Sequence, residues 1–275
     1  MLLEAANLRF AYRGGPQIID DVSFGIEERG LVGILGPNGS GKTTILRLIA
    51  RALRPTSGHV RLGGVPIETV PRRVLARRLA VVPQETVLAF DYSVIEIVLM
   101  GRYPHLGVFE VEGPDDFGAA MSALEATGTA ELARRPFRTL SGGEKQRVMI
   151  ASALAQLEDG RDAVAPPLLL LDEPTASLDL RYQLEVAALL RRLHDRRHVT
   201  IVLTTHDLRF AASVCTRVIL LSKGRVLSDG APANVLTASQ IAALYDLDAE
   251  MLMTSGFISW DKTSGVISAD DRSRT

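Results

Sequence analysis

Cysteine is nearly missing from this sequence. The one thiol, Cys215, cannot close an internal disulfide or build a cysteine-based zinc site. That scarcity fits a reducing compartment. Equally absent is any run approaching the roughly 20 apolar residues that a membrane-spanning helix needs. The opening Met1-Leu-Leu-Glu-Ala-Ala6 has neither the basic segment nor the apolar stretch of a signal peptide, so cytoplasmic residence is expected. There is no basic excess either: 31 Lys and Arg stand against 32 Asp and Glu, a net charge of −1. A nucleic-acid binder would usually carry a basic stripe. The local clusters Arg72, Arg73, Arg77, Arg78 and Arg191, Arg192, Arg196, Arg197 read as solvated helix faces, and no nucleic acid is expected as a partner. No period of about 20–50 residues recurs, which argues against a solenoid or propeller.

What is present is concentrated in three stretches. The first is Leu31-Val-Gly-Ile-Leu-Gly-Pro-Asn-Gly-Ser-Gly-Lys-Thr-Thr44. It reads as a buried strand, a glycine-rich turn and a helix opening near Gly41, with Gly36, Gly41, Lys42 and Thr43 meeting the phosphate-loop pattern. Glycines let backbone N–H groups approach phosphate oxygens with no Cβ in the way, and the helix N-terminus adds partial positive charge. Lys42 can reach the β- and γ-phosphates, and the Thr43 hydroxyl can hold Mg²⁺. The residues between and after, Pro37, Asn38, Gly39, Ser40 and Thr44, complete the cradle. Alone, this stretch leaves kinases, GTPases, helicases and transport ATPases open.

The second stretch is Leu168-Leu-Leu-Leu-Asp-Glu-Pro174, an apolar strand ending in two acids. Such a strand puts carboxylates at the C-terminal edge of a sheet, where open α/β sheets bind ligands. Asp172 is placed for the Mg²⁺ shell and Glu173 for polarising an attacking water. The third is Leu140-Ser-Gly-Gly-Glu-Lys-Gln-Arg147. Ser141 and Glu144 have the spacing of a capping box, and Gly142 and Gly143 leave the helix start bare for an anion.

Around these, periodicity predicts an antiparallel ribbon over residues 2–26 and helices over 44–53 and 71–78. Residues 168–227 alternate strands with helices, which argues for a parallel, helix-covered sheet. Residues 85–158 carry helical patterns without a convincing strand. A polar linker is expected at 159–167 and a polar C-terminal tail from 251. Tyr12, just past the first strand, is either an edge aromatic or a ring that stacks on a nucleobase.

Taken together, the residues resemble the nucleotide-binding subunit of an ABC transporter over roughly residues 3–230. Leu140–Glu144 matches that family's signature. The partners follow in the family's order: the phosphate loop at 36–44, Gln84 before the helical segment, the acidic strand at 168–173, Ser177-Leu-Asp179, and His206 at the end of a strand. The resemblance implies one ATPase domain over 1–250, of α/β class: a P-loop NTPase (RecA-like) core with an N-terminal antiparallel β subdomain and an inserted helical subdomain. It implies ATP and Mg²⁺ as cofactors and a head-to-tail homodimer. Tyr12 would stack on adenine, and Gln84 would touch Mg²⁺ and the attacking water. His206 would meet the γ-phosphate, and Ser141–Glu144 and Asp179 would close the site of a second copy. Leu99-Met-Gly-Arg-Tyr-Pro-His105 is similar to a stretch in ATPases of iron–siderophore, haem and cobalamin importers. That implies a membrane permease dimer, an extracytoplasmic binding protein and a place on the inner face of the cell membrane. Three other readings are a soluble ABC ATPase of repair or translation, an ABC exporter subunit and a P-loop kinase. The kinase leaves Leu140–Glu144 and His206 unexplained.

Overall fold

The computed structural model describes residues 1–86, 88–157, 166–176, 178–197 and 199–254. Ser177, most of the expected linker at 159–167 and the tail beyond residue 254 lie outside the described residues. Two sheets carry the chain. The first pairs β1 (Leu3–Ala11), β2 (Gln17–Ile26), β4 (Ser57–Leu62) and β5 (Val65–Pro66) in the order β2-β1-β4-β5, antiparallel throughout. Gly63 and Gly64 join β4 to β5 in a two-residue loop with both residues at positive φ, as a primed turn requires.

The second sheet has the order β10-β9-β3-β8-β7-β6. Here β3 is Leu31–Leu35, β6 Leu79–Val82, β7 Leu168–Asp172, β8 Thr200–Thr205, β9 Arg217–Ser222 and β10 Arg225–Gly230. All neighbours run parallel except β10, which turns back on β9 as an edge strand. The four leucines of β7 are fully buried, and alternate ones enter two different cores: Leu168 and Leu170 join one, Leu169 and Leu171 the other. That is the signature of a strand covered on both faces. Each such side chain is worth roughly 1.5–3 kcal/mol in burial.

Helices α1 (Lys42–Ile49) and α2 (Arg72–Arg78) flank the sheet. Between β6 and β7 run α3 (Val94–Met100), α4 (Pro114–Thr127) and α5 (Gly142–Gln156), the helical segment expected there. Then come α6 (Leu180–Arg197), α7 (Leu208–Val214), α8 (Pro232–Val235), α9 (Ala238–Tyr245) and α10 (Ala249–Thr254). The last of these continues past residue 250, where the tail was expected to begin.

Two local expectations differ from the structure. Helix α1 stops at Ile49 although apolar spacing continues to Leu53. Arg51 enters the left-handed region at φ 57°, and the Arg47 carbonyl accepts from both Ala52 N and Leu53 N, which closes the helix. The arginines of α2 are a solvated face only in part: Arg72 and Arg73 are exposed. Arg78 is buried, while Arg73 and Arg77 each donate to the Pro104 carbonyl, at 2.8 and 2.9 Å. The reason is proximity: the turn at Tyr103–His105 ends in carbonyls that need donors, and α2 lies against it.

Candidate nucleotide-binding site

Register places the site. Leu35 of β3 stands beside Thr205 of β8, and Thr204 stands beside Asp172 of β7. The chain leaves all three strands on the same edge, so the phosphate loop, the paired acids and His206 meet there. They border a cleft of about 770 Å³ lined by Tyr12, Asn38, Gly39, Gly41, Lys42, Thr43, Thr44, Gln84, Glu173 and His206, among others.

The loop after β3 is shaped for a ligand that touches backbone. A Cβ on Gly36 would come within 2.2 Å of the Leu221 carbonyl oxygen and 2.6 Å of Ser40 Oγ. Gly41 holds φ 105°, and a Cβ there would meet Ile19 Cδ1 at 2.6 Å. Gly39, at φ 80°, has open space on that side. Ser40 Oγ is buried with no hydrogen-bond partner, so the loop holds a spare polar atom. Lys42 is 5% exposed and donates from Nζ to the carbonyls of Gly36 and Pro37, at 2.9 and 3.2 Å. Its charge is met by Glu173 Oε1 at 3.3 Å. A buried ammonium needs such a partner.

The two acids diverge. Asp172 is buried, and its Oδ1 accepts from Thr43 Oγ1 at 3.0 Å and from Thr204 Oγ1 at 2.6 Å. Glu173 sits in the left-handed region at φ 45°, an uncommon conformation for a residue with a side chain. The turn sends its carboxylate away from Asp172 and toward His206, whose Nδ1 lies 3.0 Å from Glu173 Oε2. Thr43 lines the cleft, and Asp172 stands behind it, bonded to its hydroxyl. Among the described residues no group of three or more His, Cys, Asp or Glu is arranged to hold a metal. A cation here would take few protein ligands and fill its shell from phosphate and water, as Mg²⁺ does.

Not every residue singled out by the sequence lies in the cleft. Ser141 caps α5: its backbone N–H donates to Glu144 Oε2 at 2.7 Å and its Oγ accepts from Glu144 N at 3.3 Å. The Ser141 backbone hydrogen bond is the main cause that holds the Glu144 carboxyl below its ordinary range. Gly142 lines a neighbouring hollow that shares Gln84 and Ala176 with the cleft. Gly143 packs so closely on Tyr182 that a Cβ would lie 2.2 Å from the ring. Asp179 caps the start of α6, accepting from Tyr182 N at 3.1 Å. Within one chain, then, neither Ser141–Glu144 nor Asp179 lines the cleft. Tyr12 is 41% exposed at the cleft and makes an edge contact with Phe10 at 4.9 Å.

Sequence reasoning missed Thr204. It bridges the acids, donating to Asp172 and accepting from Glu173 N at 2.9 Å. Its signal was its place two residues before His206, on the strand paired with the acidic one. Thr175, Gln183 and Thr205 also line the cleft without having been singled out.

These features describe a P-loop protein whose sheet edge joins a lysine, two acids and a histidine. The sequence profile of the ABC transporter family matches residues 19–176, and the chain belongs to that family. It is 42% identical to the hemin import ATP-binding protein of Rhodopseudomonas palustris, over 89% of this chain and 88% of that one. It is 40% identical to the cobalamin import ATP-binding protein of Halobacterium salinarum over 84% of this chain. In that comparison the chain spans 56% of the relative's length. Among solved structures, it superposes with a TM-score of 0.76 and 32% identity on an ABC transporter described as metal-chelate type in an inward-facing conformation, covering 89% of each chain.

Proposed function

We propose that this chain is the ATP-hydrolysing subunit of an ABC importer. Two copies pack head to tail on the inner face of the cell membrane. They drive uptake of an iron–siderophore, haem or cobalamin through a permease dimer fed by an extracytoplasmic binding protein. One ATPase domain spans 1–250, with 85–158 as its helical subdomain and 251–275 as a tail. The observation that carries this reading is the convergence of Lys42, Glu173 and His206, linked by contacts of 3.3 and 3.0 Å at the ends of three parallel strands.

In this reading the backbone of residues 36–44 and the Lys42 ammonium hold the phosphates. Tyr12 stacks on the adenine. Thr43, Asp172 and Gln84 hold Mg²⁺, which neutralises charge on the β- and γ-phosphate oxygens when bound. Glu173 accepts the proton of a water whose oxygen bonds to the γ-phosphorus while the bond to the β–γ bridging oxygen breaks. His206 orients Glu173 and faces the γ-phosphate. Ser141, Gly142, Gly143, Glu144 and Asp179 of a second copy close the cleft, which accounts for their absence from its lining within one chain. The cargo assignment follows the names of the relatives and the Gly101–His105 stretch.

The test is recovery from the native cell. A tagged chain should co-purify with a multi-spanning membrane protein, and that assembly should release phosphate from ATP. Recovery with ribosomes or DNA, and no membrane protein, would sink the importer reading.

A further inference from the structure

The sequence reading left Tyr245 without a role, yet it ends α9 against the catalytic edge. Its hydroxyl lies 3.3 Å from the His206 carbonyl oxygen, 39 residues away in sequence. The helix that carries it is fixed by burial: Ile241, Ala242 and Leu244 are in the core, and the Tyr245 ring packs on the same cluster. Asp246 then leaves the helix at φ 54° and pairs with Lys223 at 2.7 Å. Both ends of that pair are mostly exposed, so it adds little to the placement.

The His206 side has the opposite character. The ring is 54% exposed, and its side chain meets Glu173. Packing therefore does little to aim the imidazole, and its direction depends on the backbone that bears it. That backbone is held from within by Asp207. Its N–H donates to Thr205 Oγ1 at 3.0 Å, and its carboxylate accepts from Phe210 N at 2.9 Å to cap α7. The anchor that reaches it from a distant part of the chain is the Tyr245 hydroxyl.

We propose that Tyr245 is a positioning residue for hydrolysis: its hydroxyl pins the His206 peptide and so holds the imidazole toward Glu173. The role rests on the ATP-hydrolysis reading above. Burial, and then the charge of Asp207, push the phenol above its ordinary value, so the hydroxyl keeps its proton and donates across the neutral range. Through this contact the C-terminal helices bear on the hydrolytic edge of the sheet.

The test is Tyr245→Phe in the full chain, which keeps the ring in the core and removes the hydroxyl. A single neutral hydrogen bond implies a fall in kcat of about three- to tenfold. The KM for ATP should stay at the wild-type value, the Tm should fall by no more than roughly 6 °C, the share of one lost hydrogen bond, and the imidazole nitrogen signals of His206, assigned with His206→Gln, should shift. Wild-type kcat with unshifted imidazole signals would overturn the proposal. So would a kcat loss that comes with a Tm fall of more than about 10 °C, because that is a packing role. Failure of the ATPase reading looks different: the wild-type chain would not turn over ATP, while the imidazole signals would still report on the Tyr245 contact.

Discussion

Thr204 ties Asp172 to the peptide of Glu173. Its hydroxyl gives its hydrogen to Asp172 Oδ1 at 2.6 Å and accepts from Glu173 N at 2.9 Å. One buried hydroxyl therefore sets the angle between the two carboxylates. Thr204→Val keeps the shape and removes both bonds. It should lower stability by about 1–3 kcal/mol, since Asp172 and the Glu173 N–H lose a partner. It should also raise the Mg²⁺ concentration needed for half-maximal ATP turnover. Denaturant melts and a Mg²⁺ titration of phosphate release check the two effects.

Glu173→Gln preserves size and hydrogen bonding but cannot take a proton. Turnover should fall by about 10²–10⁴-fold while nucleotide binding persists. Phosphate release and a binding titration on the same preparation separate the two. Unchanged turnover would remove Glu173 from the role of general base.

Lys42→Ala removes a 5% exposed ammonium that is paired with Glu173 and with two loop carbonyls. A ligand that binds the folded state raises its melting temperature. The wild-type chain should therefore melt higher with Mg-ATP, and the variant should lose most of that rise. A full rise in the variant would count against the phosphate-holding role.

Cys215 gives a prediction independent of the site. Burial pushes its thiol from 9.0 up to about 12. The folded state thus favours the protonated form, so this contribution is complete below pH 9 and is lost as pH rises toward 12. At about pH 8 the native thiol should resist alkylation and react only on unfolding. A timed alkylation with mass readout, with and without denaturant, measures the contrast.

The shape of the loop after β3 was legible because it is local: the glycines at 36, 39 and 41 betray their backbone geometry. The leucines of β7 were legible for a related reason, since a strand buried on both faces leaves an unbroken apolar run. Thr204 and Tyr245 were not. A threonine in a strand is ordinary β-branched packing until the neighbouring strand's register brings Asp172 opposite it. The Tyr245 contact depends on where a distant helix lands, which periodicity does not encode. The end of α1 misled for a third reason. Leu53 keeps helical spacing because it still faces the core, but the backbone had already turned at Arg51.

The two cores on either side of the parallel sheet have a consequence for modularity. Buried side chains of α3, α4 and α5 belong to the same apolar cluster as Leu169, Leu171, Leu203, Val235 and Ile241. Helices that form a contiguous insertion in sequence therefore share one interior with strands and helices from the C-terminal half. Grafting that insertion onto another cassette would leave behind the packing of α5 on β6, α6 and α2. The segment should not unfold as a separate unit, and the amides of β7, enclosed by both interiors, should be among the slowest in the chain to exchange with deuterium.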